Sequence, residues 1–223
     1  FLNPGDEVLI PDPAYLAYPA CVSIAHGVPV LVPTYAKDEF RLTVEELEKK
    51  VTPKTKAILI GYPNNPTGTI MDRASLEKVA AFAKAHDLIV IADEIYCDLT
   101  YEGQHTCFAS LPDMQERTIV LNGFSKSYAM TGLRIGYVCA PREALEEIYK
   151  VHQYEILCAS TTSQYGAIEA LRNCDDDVKA MFEEYAARRE MIYQGLVDIG
   201  LTVFKPKGAF YIFPDISCTG MDE

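Results

Sequence analysis

The segment from Gly123 to Gly136 gathers a lysine, an arginine and several small residues, a set that could carry out amine chemistry. Lys126 lies just after an apolar run, Thr118 to Leu121, which predicts a buried strand. A lysine amine becomes a nucleophile only when it loses its proton, and desolvation beside another cation such as Arg134 favours that loss. Lys126 would then suit a Schiff base to an aldehyde, and the guanidinium of Arg134 would suit a two-pronged bond to a phosphate.

Other polar residues follow predicted strands at the point where each strand ends. Tyr15 follows the predicted strand 7–11, and Asn65 follows the strand 56–61. Asp93 and Tyr96 follow the strand 88–92, and Ser125 and Lys126 follow the strand 118–122. The carboxyl ends of parallel strands lie along one edge of a sheet, and open sheets bind their ligands there. We therefore expect these side chains to meet around one small molecule.

The first two thirds of the chain alternate strand and helix patterns. Further strands are predicted over 28–32 and 135–140. The strand 88–92 is almost entirely apolar, without alternation of apolar and polar side chains, so we expect it to be buried on both faces. The predicted helices cover 14–25, with the true start at Pro19, 44–50 behind a capping box at Thr43, and 75–86. This spacing indicates an α/β fold with an open, mostly parallel sheet flanked by helices.

After Pro141 the chain is predicted to be helical, and its character then changes. Helices are expected over 142–154 and 163–172, and a longer helix begins at the acidic run 175–177 and ends at Gly200. The predicted buried stripe of the long helix is Val178, Met181, Phe182, Tyr185, Ile192, Leu196 and Ile199. Two strands, 202–205 and 209–213, follow, and a strand pair after a long helix indicates a second, smaller domain.

Composition argues against several classes of function. The chain has 223 residues, 49% of them hydrophobic, which suffices for a sizeable core, and its net charge is −12. Lys and Arg form no basic stripe, so we expect no nucleic-acid partner, and no apolar run approaches the roughly 18 residues that cross a bilayer. The seven cysteines include no C-x-x-C pair, which favours reduced thiols in the cytoplasm. The four histidines share no ligand spacing, so no metal is expected.

Several of these segments together resemble one family. The segment 123–136 is similar to the pyridoxal-phosphate attachment motif of the class I/II aminotransferases, which are PLP-dependent enzymes of fold type I, at its Gly, Ser, Lys, Gly, Arg and Gly positions. The segment 93–96 resembles the family's D-E-x-Y stretch, and 64–68 resembles its N-P-T-G signature. The segments 122–126 and 205–213 look like the archaeal and bacterial aspartate/aromatic aminotransferases. The resemblance covers essentially the whole chain.

The resemblance implies that pyridoxal 5′-phosphate is the cofactor and that the matching residues hold its ring. Lys126 would form the Schiff base and would then move a proton between the substrate α-carbon and the cofactor. Asp93 would pair with the pyridine nitrogen, and this keeps the ring protonated as an electron sink. Tyr96 and Asn65 would both reach the phenolic oxygen of the cofactor, and Tyr15 would stack on the ring.

The resemblance also implies a phosphate site. Ser125 and Arg134 would hold the phosphate of the cofactor. Gly123 stands where the family often has a serine, so one hydroxyl is missing and the phosphate would depend more on the other two residues.

At the level of the whole chain, the resemblance implies a truncated protein. Residues 1–174 would be the cofactor-binding large domain, incomplete at its N-terminus, and 175–223 an interdomain helix with part of a small α+β domain. The substrates would be an amino acid and a 2-oxo acid, with the amino donor left open, and the complete protein would be a homodimer. The family's glycine-rich loop would precede Phe1 and its carboxylate-binding arginine would follow Glu223, so we expect impaired activity.

Two other functions are compatible with the same residues. A lyase or synthase of the same fold, such as a C–S lyase or a cyclopropane-forming synthase, would share the lysine and the cofactor, and only a product assay separates it. A non-catalytic, ligand-binding aminotransferase-like module of a transcription regulator would need a basic DNA-binding segment upstream. The segments 122–136 and 205–213 favour the aminotransferase.

Overall fold

The computed structural model describes residues 1–221, which contain a six-stranded sheet and a two-stranded sheet. The strands are β1 (Glu7–Asp12), β2 (Val28–Pro33), β3 (Thr55–Gly61), β4 (Ile89–Asp93), β5 (Thr118–Gly123), β6 (Gly136–Cys139), β7 (Thr202–Val203) and β8 (Pro214–Asp215). The helices are α1 (Ala17–Ile24), α2 (Val44–Glu48), α3 (Arg73–Ala85), α4 (Arg142–Glu155), α5 (Thr161–Asn173) and α6 (Asp175–Asp198). None of the helices within residues 1–221 has the length and apolarity that crossing a membrane requires.

The large sheet has the strand order β2-β1-β3-β4-β5-β6. Strands β1 to β5 are parallel, and β6 alone runs antiparallel to its neighbour β5. The predicted open, mostly parallel sheet flanked by helices is therefore confirmed. The chain passes from β1 to β2 on one side and then to β3 on the other, so a crevice opens between β1 and β3 at the carboxyl ends of the strands, where ligands of such sheets bind.

Helix α3 covers one face of the sheet. Its residues Leu76, Val79 and Ala83 recur at helical spacing and are at most 5% exposed, as the sequence predicts. They pack in one cluster with Ile58 of β3 and Val90 of β4, both of which are completely buried. This layer holds the central strands rigidly, and the loops that carry the chemistry extend from those strands.

The other face of the sheet is less covered than the strand pattern predicts. In β4, Val90 and Ala92 are buried, but Ile89 and Ile91 are only half-buried. These two residues pack against the second core cluster, to which α1 contributes Val22. Burial on both faces of β4 is thus partly wrong, because α1 is short and covers only part of this face.

The first turns of α1 and α2 differ in detail from the predictions. Helix α1 begins at Ala17, before Pro19, so Pro19 lies in the first turn, where a missing backbone N–H costs no intrahelical bond. At α2, the N–H of Glu46 donates to Oγ1 of Thr43 at 3.4 Å, which is one half of the predicted capping box. The Glu46 carboxylate binds Lys49 Nζ instead, at 2.7 Å.

Helix α6 starts at Asp175 and is followed by Gly200 at a φ of +89°, as predicted. Its predicted buried stripe is wrong in part. Within α6 and its C-cap, Ile192 and Ile199 are 48% and 73% exposed, and Met181 and Phe182 are only half-buried against the cluster around Tyr96. A 24-residue helix extends beyond the part of the molecule that could cover it.

The predicted strand 209–213 is wrong, and the partner of β7 is β8 instead. The backbone of this segment forms other bonds: Ala209 N donates to Leu99 O at 2.9 Å, and Thr100 and Gly208 form an isolated bridge. The division into domains 1–174 and 175–223 stays a prediction, and its residues 222 and 223 lie outside the described part of the chain.

Candidate active site

The turn that follows β3 is held by its own asparagine. Oδ1 of Asn64 accepts hydrogen bonds from the backbone N–H and from Oγ1 of Thr67, at 3.1 and 2.8 Å, and the Asn64 backbone donates to Thr69 O at 2.8 Å. Asn64 is 3% exposed, and its side chain stabilises the turn through these hydrogen bonds. The neighbouring Asn65 is left to present its amide to the site.

The segment 206–211 docks on this turn. The N–H groups of Lys207 and Gly208 both donate to Gly68 O, each at 2.9 Å. Gly68 has a φ of +70°, and a Cβ at this position would collide with Cβ of Pro206, so only glycine fits this close approach. The docked segment places Phe210 and Tyr211 beside the carboxyl ends of β3 and β4.

A chain of three polar groups links the loops after β3 and β4. Asn65 Nδ2 donates to the Tyr211 hydroxyl at 3.1 Å, and that hydroxyl lies 2.7 Å from the hydroxyl of Tyr96. Burial, followed by the hydrogen bond with Tyr211, raises the pKa of Tyr96 far above its ordinary value. Either hydroxyl of this pair can be the donor, and when Tyr211 donates, the O–H of Tyr96 is free to donate elsewhere.

The carboxylate of Asp93 stands at the end of β4, and both of its oxygens have a partner. Oδ1 accepts from the backbone N–H of Ile95 at 3.1 Å, and Oδ2 accepts from the Tyr18 hydroxyl at 2.8 Å. Burial raises the pKa of Asp93, while these two hydrogen bonds act in the opposite direction. Each oxygen retains a further lone pair, so the carboxylate can accept one more donor.

The amine of Lys126 lies between two aromatic rings of the site. Its Nζ is 5.8 Å from the ring centre of Tyr96 and 5.4 Å from that of Phe210. Tyr96 in turn feels the charge of Asp93. The structure therefore brings Lys126, Asp93, Tyr96 and Asn65 to one edge of the sheet, as the strand ends predict.

The other three predicted residues are Tyr15, Ser125 and Arg134. Tyr15 is 49% exposed and packs edge-on against Tyr18, with 5.5 Å between the ring centres. Ser125 is half-buried next to Lys126. Arg134 is exposed, and its guanidinium donates to Thr131 O at 2.7 Å. Within residues 1–221, no group of three or more His, Cys, Asp or Glu side chains is placed as a metal site requires.

Three residues of the site were not singled out from the sequence, namely Tyr18, Phe210 and Tyr211. Tyr18 lies in an apolar helix pattern, where a tyrosine usually indicates core. Phe210 and Tyr211 lie in a segment whose pattern predicts a strand, and that strand does not form. One signal was available: the segment 205–213 belongs to the resemblance and contains Gly208. In the structure this glycine makes room for the Pro63 side chain, whose Cβ is only 2.6 Å from where a Cβ of residue 208 would stand.

The comparisons with known proteins agree with this geometry. The family model "Aminotransferase class I and II" matches residues 1–222. The chain is 50% identical to an aspartate aminotransferase of Pyrococcus abyssi, over 99% of this chain and 58% of that protein. It is 47% identical to aromatic-amino-acid aminotransferase 2 of Thermococcus litoralis, over 100% of this chain and 58% of that protein.

A solved structure shows the same fold at high similarity. The aromatic aminotransferase from Pyrococcus horikoshii superposes with a TM-score of 0.97 and 49% identity, over 99% of this chain and 60% of that one. The chain thus spans about three fifths of the length of these relatives. Since the family model covers almost every residue, the predicted resemblance is confirmed: this chain belongs to the class I and II aminotransferase family.

Proposed function

We propose that the protein is an aminotransferase that moves an amino group between an amino acid and a 2-oxo acid. The gathering of Lys126, Asp93, Asn65 and Tyr96 at the carboxyl ends of β3, β4 and β5 is the observation that carries this proposal. The names of the relatives support an amino donor of the aspartate or aromatic type.

Class I and II aminotransferases use pyridoxal 5′-phosphate, and the donor set of this site fits that cofactor. A pyridinium nitrogen needs an anion, and the half-buried carboxylate of Asp93 has accepting capacity left. A phenolate oxygen needs donors, and Asn65 has one N–H left after its bond to Tyr211, while Tyr96 has its O–H. An aldehyde needs an amine, and Lys126 offers one beside two aromatic rings.

When bound, the cofactor supplies an electron sink for the charge that develops at the substrate α-carbon. Lys126 would attach the cofactor and, once released, would move the proton from the substrate α-carbon to the cofactor carbon that the lysine nitrogen had occupied. Asp93 would hold the ring nitrogen in its protonated form. Asn65 and Tyr96 would hold the phenolic oxygen, and Tyr15 would stack on the ring.

Ser125 and Arg134 are proposed to hold the phosphate of the cofactor. Their support is their position in the segment around Lys126 and the suitability of a guanidinium for phosphate oxygens. Arg134 donates one N–H to Thr131 O, and a guanidinium has four others to offer.

We also propose that the complete protein works as a homodimer in the cytoplasm. The resemblance to the family supports the dimer. The odd number of cysteines, without a C-x-x-C pair, supports a reducing compartment. Sedimentation of the complete protein tests the dimer, and a monomeric, fully active enzyme would contradict it.

The proposal is tested by covalent trapping. The purified chain is incubated with pyridoxal 5′-phosphate, reduced with sodium borohydride and digested, and the modified peptide is identified by mass spectrometry. We expect the modification at Lys126 and its loss in Lys126→Ala. Product assays with aspartate, with phenylalanine and with cysteine as separate donors then distinguish transamination from lyase chemistry, since a lyase forms no new amino acid from the added 2-oxo acid.

The matched control is Lys78→Ala, which removes an exposed lysine of α3 and leaves the site intact. This variant should be modified at Lys126 as readily as the wild type. The proposal would be contradicted if the modification were spread evenly over surface lysines in protein that circular dichroism shows to be folded.

A further inference from the structure

The Asp93 carboxylate is held from two sides by elements that are distant in sequence. The backbone N–H of Ile95 anchors Oδ1 from the turn after β4, and the hydroxyl of Tyr18 reaches Oδ2 from the first turn of α1, 75 positions away. Two bonds to two different oxygens leave a carboxylate no freedom to rotate, so its remaining lone pairs have a defined direction.

A glycine makes room for the hydroxyl of Tyr18. Gly61 is the last residue of β3 and is the direct register partner of Asp93 on β4. A Cβ at Gly61 would lie 2.5 Å from Oη of Tyr18, closer than real contacts allow, whereas its φ is outside the left-handed region. The need for glycine here is therefore one of space, and the space is occupied by the Tyr18 hydroxyl.

The charge of Asp93 depends on such donors. Burial raises the pKa of its carboxyl, the hydrogen bonds from Tyr18 and Ile95 oppose this, and the nearby charge of Glu94 raises the pKa further. A hydrogen bond to a carboxylate favours the ionised form, so losing a donor moves the pKa further up. An Asp93 that carried a proton could not serve as the counter-ion of a protonated ring.

We propose that Tyr18 is a positioning residue: its hydroxyl, seated over Gly61, holds Asp93 in one orientation and in its anionic form for the ring nitrogen. This inference rests on the proposed function, since Asp93 acts on the reaction only through a bound pyridine ring. In this role Tyr18 would act only through Asp93.

The first test is Tyr18→Phe, which removes the hydroxyl and keeps the ring. The Asp93 carboxyl is titrated by carbon-13 NMR in cofactor-free protein, with its signal assigned by its absence in Asp93→Asn. Glu94 and Tyr96, the other titratable groups near Asp93, are unchanged in this variant. We expect Asp93 to titrate at higher pH than in the wild type, and the Kd for pyridoxal 5′-phosphate to rise about tenfold, as the loss of a hydrogen bond to a charged group implies.

The second test approaches the same contact from the other side. In Gly61→Ala the new methyl group would displace the Tyr18 hydroxyl, so this variant should reproduce both effects of Tyr18→Phe. The double variant Tyr18→Phe with Gly61→Ala should be no worse than Tyr18→Phe in either measurement, because the displaced group is already gone. The control is Tyr62→Phe, whose hydroxyl binds Phe40 O at 3.4 Å and which should change neither measurement.

The outcomes separate the two proposals. If Lys126 is never modified by the cofactor, the proposed function fails. The titration of Asp93 in cofactor-free protein still tests whether Tyr18 holds Asp93 in its anionic form. If Tyr18→Phe, folded by circular dichroism, leaves the titration and the Kd as in Tyr62→Phe, the positioning role is overturned. Additive losses in the double variant would also overturn it, since they would mean that Gly61 and Tyr18 act through different contacts.

Discussion

At the scale of single residues, hydroxyl groups connect most of the site. Tyr18 binds Asp93, and Tyr211 joins Asn65 to Tyr96. Each of these tyrosines comes from a segment that packs against the sheet and belongs to none of its strands. The end of β4 thus supplies the carboxylate of Asp93, and segments packed on the sheet supply the hydroxyls of Tyr18 and Tyr211.

Tyr211→Phe tests the network between the loops. The change removes two hydrogen bonds of partly buried groups and keeps the ring, which packs against Tyr96 with 5.7 Å between ring centres. We expect the free energy of unfolding to fall by about 1–2 kcal/mol, measured by urea denaturation. The control Tyr149→Phe alters a residue that is 63% exposed and should cost almost nothing. Equal stability of the two variants would contradict the network.

At the scale of elements, the capping residues define where helices begin. Asp72 precedes α3, and its Oδ1 accepts the backbone N–H of Ser75 at 2.7 Å. This bond is the first cause of the lowered pKa of Asp72, ahead of the charges of Arg41 and Lys78. An N-cap of this kind contributes about 1 kcal/mol to helix stability.

Asp72→Ala should therefore lower the free energy of unfolding by about 1 kcal/mol near neutral pH, measured by urea denaturation. The folded pKa of Asp72 lies below its ordinary value of 3.8, so the stabilisation is complete above that value and is lost as the pH falls through the folded pKa. The difference between wild type and variant should shrink accordingly in acid. Asp72→Asn keeps a capping oxygen and should stay close to the wild type; a loss as large as that of alanine would contradict the capping role.

The elements that follow local patterns were predicted well. The stripe of α3, the strands of the large sheet and the end of α6 at Gly200 all follow from side-chain spacing and backbone preferences. The segment 209–213 has an equally good strand pattern and is not a strand. The N–H of Ala209 donates to Leu99 O, and the N–H groups of Lys207 and Gly208, just before the segment, donate to Gly68 O. These partners are far away in sequence, and no local pattern records them.

At the scale of the whole molecule, large apolar side chains remain exposed along α4 and just after it. Tyr154 and Leu157 are 86% and 78% exposed, and Tyr149 and Val151 are 63% and 60% exposed. Exposed apolar surface of this kind is typical of interfaces. The chain spans about three fifths of the length of these relatives.

We expect the 223-residue chain to self-associate through this surface. The net charge of −12 opposes association, so added salt should strengthen it by screening. Sedimentation velocity measures the effect, and the double variant Tyr154→Gln with Leu157→Asn should reduce it; asparagine suits Leu157 because the φ there is +64°. Glu155→Gln is the control. A wild-type chain that sediments as a monomer at high salt would contradict this expectation.

The chain's amino acids alone determined the family, the order of strands and helices as far as β7, and the residues that could react. These follow from local spacing, because an apolar period or a lysine in a glycine-rich segment can be recognised without knowing how distant parts of the chain pack. Only the folded arrangement decided that Tyr18 reaches Asp93 across Gly61 and that Tyr211 joins Asn65 to Tyr96. Those contacts join positions 75 and 146 apart, and a hydrogen bond over such a separation exists only once the sheet and the segments packed on it have met.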